Sequence, residues 1–119
     1  MSFELQTAPT PPLIDQAAMA EWCTDLDRED IADILGRVPA QCTASIAEIE
    51  TAVGEKELAK VKRVAHRVKG MAANLGAARL ARLARCIELE SKDLADVELQ
   101  LPVLKTTVAE TLAALAEHA

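Results

Sequence analysis

The chain has 119 residues, half of them hydrophobic, with one Trp, one Phe and no Tyr; that suits a single domain with an aliphatic core, built from packed helices rather than an all-β fold. No apolar run approaches the roughly 20 residues of a membrane span, and Cys23, Cys42 and Cys86 fit neither a disulfide framework nor a CxxC metal site, so reduced thiols in a cytoplasmic protein are expected. The net charge of −6 is uneven: residues 56–85 hold nine of the 13 lysines and arginines against the single acid Glu57, a local +8, while the rest carries four cations and 18 acids, which excludes a general nucleic-acid binder and favours one acidic partner site.

Residues 1–12 contain Pro9, Pro11 and Pro12 among small polar residues. They read as a disordered tail, without the basic start and apolar core of a signal peptide. A short first helix is expected over 15–24 with Asp15 as N-cap, and Asp25 or Asp27 is placed to cap the next element. From Ile31 to Val53 the apolar residues keep helical spacing through Leu35, Val38, Cys42, Ile46 and Ile49. Gly36 and Pro39 interrupt this pattern, which predicts a kink near Leu35 within one helix, ended by Gly54.

A helix over about 55–75, closed by Gly76, carries the only histidine away from the C-terminus, His66. Leu58, Val61, Ala65, Val68, Ala72 and Leu75 form its apolar stripe, and at about 100° per residue His66 lies roughly 130° from the stripe's centre, facing water. Its neighbours on that face are Lys62, Lys69, Gly70 and Ala73, all cationic or very small. An imidazole is a nucleophile near neutral pH, and a lysine three residues on can reach a group bound to it. Gly70 costs the helix about 1 kcal/mol relative to alanine, so it is expected to serve close approach by another protein. No Asp, Glu or Cys lies within one turn of His66 on this face, which argues against a metal site. His118, next to the C-terminus, is expected to have no role.

A further helix is expected over about 77–94, with Leu80, Leu83, Ala84, Ile87 and Leu94 inward and Arg79, Arg82 and Arg85 turned away. The last covers about 97–117 with Leu101, Leu104, Val108, Leu112 and Leu115 inward, and Pro102 either in its first turn or marking a later start. Cys42 and Cys86 fall on or beside apolar stripes as core residues. The predicted fold is all-α: an antiparallel four-helix bundle with a short additional N-terminal helix at one end.

The run Ala65-His66-x-Val68-Lys69-Gly70, followed by Gly76 and by a basic helix with Cys86, Leu89 and Glu90, resembles the histidine phosphotransfer (HPt) domains of bacterial and eukaryotic phosphorelays. The match in helix order and spacing runs from about residue 13 to the C-terminus. The resemblance implies that His66 is phosphorylated, exchanging phosphate with an aspartate on a receiver domain. Lys69 would contact the phosphoryl group and Gly70 would admit the partner. Lys62, Arg63, Arg67, Ala73 and Asn74 would line the docking face, Asn74 as a helix-end residue and not as a phosphoryl ligand. Implied partners are response-regulator receiver domains and a hybrid histidine kinase; no cofactor is implied for this chain, the Mg²⁺ belonging to the receiver. Glu90 reads as structural. An enzyme reading is weaker: the sequence has no Gly-rich nucleotide loop and no kinase signature. Arg67 stands where the dimerising helix of sensor kinases usually has an acid. The alternative is a helical adaptor that binds a receiver or kinase without phosphate exchange.

Overall fold

The computed structural model describes residues 10–118. All regular structure there is helical: α1 Gln16–Cys23, α2 Arg28–Gly54, α3 Leu58–Leu75, α4 Ala78–Glu90 and α5 Leu94–Ala116. Short links make successive long helices antiparallel. α2 packs on α3, α3 on α4, α4 on α5, and α5 back on α2, so the four long helices close into a bundle. α1 packs against α3. Trp22 fixes it there by donating its indole N–H to the Leu75 carbonyl at 2.9 Å.

The core is aliphatic, as the composition requires. Ile49, Val61, Leu80, Ile87, Val97 and Leu104 are almost wholly removed from water, each worth about 1.5–3 kcal/mol of burial. Thr111 is equally buried and donates its hydroxyl to the Thr107 carbonyl at 2.6 Å, so the polar atom is satisfied inside its own helix. Cys42 and Cys86 are buried free thiols, in keeping with their sequence positions. No helix among the described residues is long and apolar enough to cross a membrane.

Three helices start on aspartates whose side chains accept an otherwise unpaired amide. Asp15 takes the N–H of Ala18, Asp27 that of Asp30, and Asp93 that of Asp96. Of the two caps open for α2, Asp27 is the one used. Asp93 also explains why α4 is shorter than expected. It begins α5 at Leu94, which leaves α4 to end at Glu90 and puts Leu94 in the following helix. Pro102 lies well inside α5, neither in its first turn nor at a later start, and Pro39 lies inside a continuous α2. Both prolines are exposed.

α2 ends at Gly54 as expected, but not with a left-handed glycine. Gly54 is the last helical residue, and the left-handed position falls on Lys56, at φ 60°. Glu57 N–H then reaches the Ala52 carbonyl and Lys56 N–H that of Val53, a Schellman closure built on a lysine. α3 closes in the same way on Gly76, at φ 85°. Pro11 and Pro12, expected in the tail, are bound: Arg79 donates its Nε to the Pro11 carbonyl at 2.9 Å and its backbone N–H to that of Pro12 at 3.1 Å. The rest of the expected tail, residues 1–9, lies outside the described residues.

Candidate functional site

α3 presents its buried stripe of Val61, Ala65, Val68, Ala72 and Leu75 to the bundle. His66 lies on the outer side, its side chain 65% exposed, as the helical spacing requires. It is not surrounded only by cations. Glu88 of α4 places Oε2 at 2.8 Å from His66 Nδ1 and Oε1 at 3.1 Å from Lys69 Nζ. One carboxylate therefore holds both residues. It is only 18% exposed, which strengthens both contacts relative to a pair in open water. The Lys69 ammonium, aided by the His66 ring, holds the Glu88 carboxyl below its usual range against the opposing effect of burial.

An ionised carboxylate only accepts hydrogen bonds, so the proton of the neutral imidazole sits on Nδ1 and points at Glu88. That leaves the lone pair of Nε2 free on the exposed side of the ring. The chemistry available is nucleophilic attack from Nε2, with a lysine ammonium held close by.

Gly70 follows one turn along the same face, and a methyl group added there would meet nothing within 4 Å. The space is therefore open to whatever approaches from outside. Arg63, Ala73 and Asn74 are also exposed, and Lys62 is half-buried. Among the described residues, Lys62, Arg63 and Arg85 make no ion pair. Arg67 is different: it is paired with Glu48 of α2. It lines a half-open cleft of about 340 Å³ between α2 and α3 with Gln41, Ala44, Ser45, Val68 and Met71. The expected group thus divides: His66 and Lys69 meet Glu88 of α4, while Arg67 meets Glu48 of α2.

Glu88 went unrecognised in the sequence, although a signal for it was present. The link at Gly76–Ala77 folds α4 back on α3, so residues equally far from that link meet; reflecting His66 across it lands beside Ile87 and Glu88. Glu90 is not the acid that reaches His66. It lies against the Cys86 thiol, which burial and Glu90 together push up from its ordinary value.

Residues 33–118 match the family model described as Hpt domain, a span that begins within α2 and contains His66, Lys69, Gly70 and Glu88. No curated protein and no solved structure matches the chain.

Proposed function

Because the chain belongs to the Hpt domain family, whose activity is histidine phosphotransfer in phosphorelays, we propose that His66 is its phosphorylated residue. It accepts a phosphoryl group from a receiver-domain aspartate or a kinase and passes it to another receiver aspartate. The chain is a phosphocarrier without autokinase activity, working with receivers of response regulators or of a hybrid histidine kinase. The Mg²⁺ that assists transfer sits on the receiver, and the setting is cytoplasmic. Lys69 meets the phosphoryl oxygens, and Gly70, with Lys62, Arg63, Ala73 and Asn74, receives the partner. Arg67 contributes at the edge of this face, from its pair with Glu48.

The observation that carries this reading is the state of the imidazole. Its Nδ1 is committed to Glu88 at 2.8 Å while the ring stays largely exposed, so Nε2 is open to an incoming phosphorus atom.

His66→Gln tests it directly. The side chain contributes little to the core, so stability is expected to shift by less than about 0.5 kcal/mol. Incubation with a phosphorylated receiver should load acid-labile phosphate onto the wild-type protein and none onto the variant. Transfer retained in His66→Gln overturns the assignment. Receiver binding without any phosphate gained by the wild-type protein would make the chain an adaptor instead.

A further inference from the structure

The outer face of α5 lies away from His66: α5 packs on α4 and α2, across the bundle from α3. A surface helix keeps its apolar residues inward. α5 does bury Val97, Leu104, Val108 and Leu115. Its outward side nevertheless carries Leu99, Pro102, Val103, Thr106 and Ala109, all exposed and none charged. Leu99 and Val103, 74% and 48% exposed, are two of the three large hydrophobic residues left in water among the described residues. Four residues apart, they are neighbours on that face, so they form one patch rather than scattered contacts with water. We propose that this patch binds a second copy of the chain, α5 against α5 in an antiparallel two-fold pair. The inference goes beyond the phosphocarrier reading and does not depend on it.

Charge selects this occupant. Lys92 stands just before α5, its backbone N–H held by the Asp96 carboxylate at 2.7 Å, which places it at the foot of the same face. Glu110 stands exposed at the other end of the patch. Neither makes an ion pair among the described residues. A closed two-fold pair uses one patch on both copies, so that patch must be complementary to itself. Leu99 and Val103 lie equally far on either side of position 101, and so do Lys92 and Glu110. Two copies of α5 crossed head to tail at that level therefore seat Leu99 on Val103 of the second copy. The same register sets Lys92 of each copy opposite Glu110 of the other, at both ends of the patch. Parallel pairing would oppose lysine to lysine and glutamate to glutamate.

The same charges disfavour a nucleic acid or an anionic membrane on this face. Asp96, Glu98, Glu110 and Glu117 outnumber Lys92 and Lys105 along α5, and Lys105 is already held by Glu50 at 2.7 Å. Because α3 lies opposite α5 in each bundle, the pairing leaves both His66 surfaces open, and the dimer carries two separate sites.

Sedimentation equilibrium of the whole chain at low salt, up to about 1 mM protein, tests the pairing. The wild type should move from monomer towards dimer mass as concentration rises. Leu99→Lys should stay monomeric and melt with the wild type, since it removes no buried contact. Lys92→Glu and Glu110→Lys should each raise the dimer dissociation constant about tenfold or more, because an attractive pair at each end becomes repulsive. The double variant Lys92→Glu/Glu110→Lys should dimerise as the wild type does. An equimolar mixture of the two single variants should do so too, since opposite charges again meet at both ends. A wild type that stays monomeric at about 1 mM overturns the inference and leaves the face to a different protein. Association that survives Leu99→Lys places the interface elsewhere and overturns it as well. Single reversals without effect, or a double variant that does not recover, overturn the antiparallel register.

Discussion

His66 and Lys69 share one carboxylate, and the sharing sets what each can do. Lys69 Nζ waits 3.1 Å from Glu88 Oε1, beside the ring, so its ammonium is ordered before any phosphoryl group arrives. In the phosphorylated protein a move from Glu88 to the phosphoryl oxygens exchanges one charge-assisted contact for another. Lys69→Ala should therefore slow transfer without abolishing it, since the receiver's own cation supplies further contacts. A charge-assisted hydrogen bond of about 1.5–3 kcal/mol corresponds to a rate roughly 10- to 150-fold lower. Single-turnover transfer from a phosphorylated receiver measures it, and an unchanged rate would confine Lys69 to holding Glu88. At this scale the exposure of His66 was legible, because helical periodicity alone separates inward from outward positions. The partner of His66 was not, because a helical wheel says nothing about which side the next helix packs on. His66 and Arg67 are adjacent in sequence, yet one leans to α4 and the other to α2.

The helix ends follow from chemistry of different visibility. Aspartate caps are readable, and Asp15 and Asp27 are where the sequence suggests. Leu94 misleads because it continues the apolar spacing of α4 while the Asp93 cap assigns it to α5. Gly54 ends α2 as a glycine suggests, but the left-handed position falls two residues on, at Lys56. The two Schellman closures therefore predict opposite responses. Lys56→Gly should raise stability by roughly 1 kcal/mol, because a side chain in left-handed backbone carries about that much strain. Gly76→Ala should lower it by about 2 kcal/mol or more, from the same strain plus crowding. The added Cβ would stand 3.0 Å from the Met19 nitrogen and 3.1 Å from the Asp15 oxygen. Both are backbone atoms and cannot turn aside, and the Gly76 carbonyl also accepts the Asp15 N–H at 2.7 Å. The damage should extend to the docking of α1. Urea unfolding of the two variants, with Trp22 fluorescence reporting on α1, measures both effects; an unaffected Gly76→Ala would mean that α1 adapts freely.

The whole bundle separates packing from approach. The closed ring of α2, α3, α4 and α5 buries one side of α3 and leaves the His66 side exposed. Nearby cations without ion pairs, Lys62, Arg63 and Arg85, give that side a charge opposite to the rest of the molecule, which suits an acidic receiver site. Gly70 lies at the centre of this division. Three glycines, Gly36, Gly54 and Gly70, have open space where a side chain would go, so openness by itself does not mark a docking point. What distinguishes Gly70 is its place one turn from His66, while Gly36 lies more than three turns of α2 before Glu48. Replacing glycine in a helix interior recovers up to about 1 kcal/mol, so Gly70→Leu and Gly36→Ala should each melt at the wild-type temperature or a few degrees above it. Their effects on transfer should diverge. At Gly70 a leucine would hold the receiver's aspartate away from Nε2, and a misplacement of about 1 Å costs on the order of a hundredfold in rate. At Gly36 the substitution leaves transfer unchanged. Melting curves and receiver transfer rates on the same preparations decide it, and wild-type transfer by Gly70→Leu would move the docking face away from the α3 surface beside His66.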